Sequence, residues 1–234
     1  MEMTDLLPHI VFETDDDPRH SIIWLHGLGA DGEDFVPIAE QMNLPVPVRY
    51  VFPHAPMRPV TINGGYVMRA WYDILVAAPT GELGTEGDGM QDAEGIRASQ
   101  VEIEKLIEQE KQRGIAAVNI YLAGFSQGGA IVLHTGLRHS EQLGGILALS
   151  SYLPLAGAFA REASPGATGQ PIFMAHGRDD PVIPYVLGRA SAQRLIDSGY
   201  SVEWHEYAMP HSVCMEEVGD IERWFMRRMA GETV

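Results

Sequence analysis

The feature that most narrows what this chain can fold into is the run Val118-Asn119-Ile120-Tyr121-Leu122-Ala123-Gly124-Phe125-Ser126-Gln127-Gly128-Gly129. β-forming apolar residues lead directly into Gly-x-Ser-x-Gly, and Ala130-Ile131-Val132-Leu133 follows in a helix-compatible pattern. This order predicts a strand, a sharp turn and a helix. In such a turn the serine takes a strained backbone conformation, and small residues two before and two after it let strand and helix approach each other. The hydroxyl is pushed out at the strand end. The helix start beneath it supplies unpaired N–H groups and a positive dipole end, both suited to an oxygen gaining negative charge. The five-residue pattern alone also occurs in ordinary loops; the apolar runs on either side give it meaning.

The rest of the chain repeats the strand and helix alternation. Ser21-Ile22-Ile23-Trp24-Leu25, Val48-Arg49-Tyr50-Val51-Phe52, Gly145-Ile146-Leu147-Ala148-Leu149 and Ile172-Phe173-Met174-Ala175 read as buried strands. His9-Ile10-Val11-Phe12 reads as an edge strand, and Val202 to Tyr207 as a more alternating one. Helical patterns cover about Glu33 to Gln41, Asp92 to Arg113, Tyr185 to Ser198 and Cys214 to Met229. In the last, Cys214, Val218, Ile221 and Phe225 form an apolar stripe. Glu216 and Glu217 lie early and Arg227 and Arg228 late, as the helix dipole favours. Pro53 to Gly65, with three prolines, reads as irregular, and the glycine-rich segment Ala78 to Gln91 as a loop that is either a mobile active-site element or a plain surface excursion. The pattern predicts a single α/β domain spanning 1–234, with a mainly parallel sheet flanked by helices.

Composition then removes several functions. The 32 acidic residues against 16 basic ones give a formal charge of −16, which repels nucleic acid and anionic lipid headgroups. The single cysteine, Cys214, forms no intrachain disulfide, which suits a reducing compartment. The N-terminus lacks the basic and apolar regions of a signal peptide, and no apolar run approaches the ~20 residues needed to cross a bilayer. A cytoplasmic protein without stable membrane insertion is expected. No Cys/His cluster suggests a metal, and no cofactor is expected.

A serine hydroxyl needs a base, and the base an orienting acid, in the chain order Ser, Asp or Glu, His for this kind of fold. His176-Gly177-Arg178-Asp179-Asp180-Pro181 follows a strand and supplies the acid, either Asp179 or Asp180. Tyr207-Ala208-Met209-Pro210-His211 follows the last strand and supplies His211 as general base; His205 lies inside the strand, where a structural role is expected instead. Two N–H groups must receive the oxyanion. Gln127 is one, and the turn His26-Gly27-Leu28-Gly29 offers Leu28 as the other, although such turns also merely cap helices.

Together these segments resemble the phospholipase/carboxylesterase family of α/β-hydrolases, which includes acyl-protein thioesterases. The resemblance runs through His26-Gly27-Leu28-Gly29-Ala30-Asp31-Gly32, Val60-Thr61-Ile62-Asn63-Gly64-Gly65, Ala70-Trp71-Tyr72-Asp73, Gly124-Phe125-Ser126-Gln127-Gly128-Gly129, His176 to Val182 and His211. It implies Asp180 as the triad acid with Ser126 and His211, and Leu28 and Gln127 as oxyanion donors. The sequence departs from the pattern at Pro210, where relatives often carry glycine.

The twenty or so residues between Ser150 and Gln170 are too few for a helical cap domain, so an open groove is expected. Leu28, Trp71, Tyr72, Leu75 and Val182 are candidates to line it, each with core packing as the alternative. The expected activity is hydrolysis of carboxylic esters of short to medium acyl chains. A lysophospholipase or acyl-protein thioesterase is the alternative within the enzyme class, and a hydrolase-fold ligand-binding protein the one outside it. The expected partner is a small ester or lipid-like substrate; apolar residues from Ile74 to Met90 leave room for a homodimer.

Overall fold

A computed structural model of the chain describes residues 6–76 and 91–230. Its centre is a seven-stranded sheet built from β1 (His9–Glu13), β2 (His20–Leu25), β3 (Val48–Pro53), β6 (Ile120–Phe125), β7 (Gly145–Leu149), β8 (Ile172–Gly177) and β9 (Val202–Tyr207), in the spatial order β1-β3-β2-β6-β7-β8-β9. Only β1 pairs antiparallel, on β3; every other pairing in this sheet is parallel. The inner strands are buried along nearly their whole length, as strands covered on both faces must be. At the edge, β9 is only partly buried: Val202 to His205 are half-buried, Glu206 is exposed and Tyr207 is buried.

The alternating residues of β2 and β3 divide the core in two. Ile23, Leu25 and Val51 pack with Ile96, Ile103, Leu106 and Ile107 of α2 (Ala93–Gln112) and with Ala130 to Leu133 of α3 (Gln127–Gly136). Ile22, Trp24, Tyr50 and Phe52 pack on the other face with Ala39 of α1 (Val36–Gln41), with Phe35 just before it, and with Ile221, Trp224 and Phe225 of α6 (Met215–Met229). Between Ser150 and Gln170 stand only the seven-residue α4 (Ala156–Glu162) and a short 3-10 turn at Pro165–Ala167. The remaining helix is α5 (Tyr185–Asp197).

Two expectations are corrected here. The stretch read as irregular, Pro53 to Gly65, contains the strand β4 (Met57–Val60), which pairs antiparallel with β5 (Tyr66–Arg69) just after it, Pro59 opposite Val67. The strands are short and β4 is an edge of a two-stranded sheet, where a proline is tolerated. In α6 the buried stripe is Glu217, Ile221, Trp224, Phe225 and Met229, so Glu217 faces inward rather than toward solvent. The expected loop from Ala78 to Gln91 lies outside the described residues except for Gln91, whose side-chain oxygen accepts from the Leu155 amide. No helix among the described residues is long and apolar enough to cross a membrane.

Candidate active site

Because β2, β6, β7, β8 and β9 run parallel and side by side, the loops after them meet along one rim, where ligands of such sheets bind. Ser126 follows β6 with φ 54° and ψ −118°, a backbone conformation that disfavours side-chain-bearing residues and costs on the order of 1–3 kcal/mol. The surroundings hold it there. Its amide donates to the Leu149 carbonyl at 2.8 Å, and its carbonyl accepts from the Ala130 amide at 3.1 Å and the Ser151 hydroxyl at 2.8 Å. The turn closes because Gly124 and Gly128 lack side chains: a Cβ on Gly128 would stand 2.5 Å from the Leu25 carbonyl oxygen, and one on Gly124 2.5 Å from the Gly128 backbone.

His211 lies in the loop between β9 and α6 and reaches Ser126. Its Nε2 is 2.9 Å from Ser126 Oγ and its Nδ1 is 2.7 Å from Asp180 Oδ2. The ring packs on Phe125, centroids 4.7 Å apart. Pro210 does not disturb this approach, because the loops after β8 and β9 are tied together before it: the Arg178 amide donates to the Tyr207 carbonyl at 2.8 Å and the Asp179 amide to the Met209 carbonyl at 3.2 Å. Of the two neighbouring acids, Asp180 is the one drawn to the histidine. Its side chain is wholly buried, and Oδ1 accepts from the amides of Val182 at 2.8 Å and Ile183 at 2.9 Å. A buried carboxylate so supplied with donors is held in place.

Two backbone peptides complete the rim. The carbonyl of Gly27 accepts from His26 Nδ1 at 2.7 Å and from the Ala30 amide at 3.3 Å. In a planar trans peptide C=O and N–H point opposite ways, so the N–H of Leu28 faces away from His26. By the same rule the Ser126 carbonyl, held by Ser151 and Ala130, turns the Gln127 N–H the other way; as the first residue of α3, Gln127 has no intrahelical partner for that N–H. The two turns are neighbours: a Cβ on Gly27 would lie 3.6 Å from Ser126 Cβ. His26 is neutral, its pKa pushed down to about 4 by burial, and its Nε2 accepts from the Ala55 amide at 3.1 Å.

The residues expected to line a groove divide. Leu28 is half-buried beside the Ser126 turn, while Leu75 and Val182 are exposed. Trp71 and Tyr72 are not groove residues. Trp71 has no exposed surface, its indole N–H donating to the His26 carbonyl at 2.9 Å. Tyr72 is buried with its hydroxyl 2.9 Å from that of Tyr152, and burial pushes its pKa well above the ordinary phenol value. An aromatic pair next to a loop motif reads as lining in sequence, but here the large rings fill the space under the rim. Sequence reasoning also passed over Ser151, whose only signal is its place after β7, and the side chain of Gln127, which accepts from the Trp71 amide and donates to the Tyr72 carbonyl, both at 2.8 Å. Among the described residues no group of three or more His, Cys, Asp or Glu side chains is arranged to hold a metal ion.

The phospholipase/carboxylesterase family matches residues 8–227. Acyl-protein thioesterase 1 of Gibberella zeae is 36% identical over 229 residues, covering 94% of this chain and 95% of that protein. Among solved structures, SOBER1 of Arabidopsis thaliana superposes with a TM-score of 0.81 at 31% identity, covering 90% of this chain and 99% of the other. Acyl-protein thioesterase 2 of Zea mays superposes with a TM-score of 0.80 at 26% identity, covering 95% and 99%.

Proposed function

The chain belongs to the phospholipase/carboxylesterase family of α/β-hydrolases and is a serine hydrolase of the esterase and thioesterase kind; from that premise we propose that Ser126, His211 and Asp180 are its catalytic triad and that it cleaves carboxylic esters of short to medium acyl chains. The observation that carries this reading is the imidazole of His211 set between a hydroxyl at 2.9 Å and a carboxylate at 2.7 Å.

Ser126 Oγ attacks the acyl carbonyl while His211 Nε2 takes its proton, and Asp180 holds Nδ1–H and steadies the imidazolium that forms. The carbonyl oxygen becomes an anion and is received by the N–H groups of Leu28 and Gln127. As the tetrahedral intermediate collapses, His211 returns the proton to the departing alkoxide and the acyl group stays on Ser126. Water then repeats the sequence in reverse, giving its proton to His211 and releasing the acid and the serine. Leu28, Leu75 and Val182 supply apolar surface for the acyl chain.

A thioesterase reading is favoured by a specific observation, the name of the relative that is 36% identical over nearly its whole length. The chemistry is the same with a thiolate as leaving group. Measuring kcat/KM for one acyl group carried as a p-nitrophenyl ester and as an S-acyl peptide separates the two. Ser126→Ala is expected to abolish turnover of both, by at least about 10³-fold, with the circular dichroism spectrum unchanged; residual activity near the wild-type level rejects the assignment of the nucleophile.

A further inference from the structure

Trp71 is hydrogen-bonded to both turns that carry the oxyanion donors. Its backbone amide donates to the side-chain oxygen of Gln127 at 2.8 Å, at the first position of α3. Its indole N–H donates to the carbonyl of His26 at 2.9 Å, one peptide before the Gly27–Leu28 unit. The Ser99 hydroxyl of α2 closes on its carbonyl, and its ring packs on His26 with centroids 5.3 Å apart. The side chain has no exposed surface, so it meets no substrate, and every polar atom of the residue is engaged.

The two donors are distant in sequence, and besides the close packing of Gly27 and Gly128 between the turns, Trp71 adds hydrogen bonds to both. Leu28 follows β2 and Gln127 follows β6, almost a hundred residues later, and each lies beyond the last pairing between these two strands, Leu25 with Gly124. An oxyanion receives both N–H groups well only if they converge to within a few tenths of an ångström. We infer that Trp71 is a positioning residue that sets this separation, bracing the His26–Leu28 turn against the start of α3. The inference rests on the proposed roles of Leu28 and Gln127, and it gives the buried Trp71-Tyr72 segment a function distinct from substrate contact.

Trp71→Phe keeps most of the ring volume and removes the indole bond to His26. It is expected to lower kcat by roughly ten-fold while KM stays within about two-fold, since a displaced donor loses part of what a deleted one does. Inhibition by a short alkylboronic acid, whose adduct with Ser126 puts an oxygen in the oxyanion position, should weaken by the same factor as kcat/KM. Trp24→Phe is the comparison. That tryptophan is equally buried, two residues before His26, and its indole N–H has no partner, so the same replacement removes ring volume without removing a bond. Its kcat and boronate affinity should match the wild type. Should Trp71→Phe not fold, Gln127→Ala takes away the other end of the brace, leaves the backbone N–H, and is expected to give the same pattern. Wild-type kcat in the Trp71 or Gln127 variant, or an equal loss in Trp24→Phe, overturns the inference; activity surviving in Ser126→Ala would instead overturn the reading beneath it.

Discussion

Asp180 and Glu217, which precede and follow His211 in the sequence, both have fully buried carboxylates, and the structure treats them in opposite ways. Asp180, in the loop after β8, accepts from two backbone amides and from His211. Glu217, in the first turn of α6, has neither oxygen in a hydrogen bond of good geometry, and the nearby Cys214 amide offsets burial only in part. Burial raises its pKa to about 8, with the charge of Asp220 adding to the effect. The loop after β8 aims two successive N–H groups at one carboxylate oxygen, whereas the uncommitted N–H groups at the start of α6 satisfy Glu217 only in part. Burial alone therefore does not tell a working carboxylate from an unsatisfied one; the donors around it do.

The comparison breaks most visibly at Asp180. Asp180→Asn preserves shape and keeps an oxygen for the Val182 and Ile183 amides, but removes the charge that in the proposed triad steadies the imidazolium and fixes its tautomer. In other serine triads this exchange lowers kcat by about 10⁴-fold with the geometry intact. A similar loss is expected here with a p-nitrophenyl ester, and a decrease below ten-fold would remove Asp180 from the triad.

Glu110 stands between the two cases. It is fully buried in α2, one oxygen accepting from Arg49 Nε at 3.2 Å while the other has no partner. Arg49 is itself almost wholly buried and also pairs with Glu13 at the sheet edge at 2.5 Å. Glu110→Ala leaves that cation with a single, partly exposed partner, and the loss expected in urea unfolding is about 3 kcal/mol, with kcat unchanged. A stability within about 0.5 kcal/mol of wild type would show that Glu13 suffices and that the inner contact adds nothing.

Much of this was open to sequence reading, and the exceptions share a cause. The apolar runs at Ile22, Val51, Leu122, Leu147 and Phe173 announce buried parallel strands because both faces of such strands are covered, and Ser126 and His211 fall on loops after strands, where position carries meaning. What failed were side chains whose environment is built by distant segments. Trp71 is claimed by His26 and Gln127 from two other parts of the chain. Ser151 gains its partner only because β7 lies next to β6. Glu217 sits where an acid suits the dipole of an exposed helix start, and only the packing phase of α6 turns it inward. Local pattern settles which element forms; the rotation of that element against its neighbours is a tertiary property.

The smallest effect tests the second half of the comparison. If Glu217 titrates near 8 in the folded protein and near its ordinary 4.5 when unfolded, the folded state keeps a proton that the unfolded chain releases across that window. Unfolding then releases a proton, so stability falls as pH rises from about 4.5 toward 8 and levels off above it. Glu217→Gln does not titrate, so it removes this slope while leaving the group polar and buried. The variant should therefore gain relative to wild type on going from about pH 6.5 to about pH 9, by about 2 kcal/mol, or roughly 5 °C in Tm for a chain of this size. Scanning calorimetry of both proteins at the two pH values reads this directly as a difference of differences, in which the other titrating groups cancel. Parallel pH dependence in the two would mean that Glu217 ionises normally, through donors that enter when the first turn of α6 opens, and the contrast with Asp180 would then be one of rigidity instead of satisfaction.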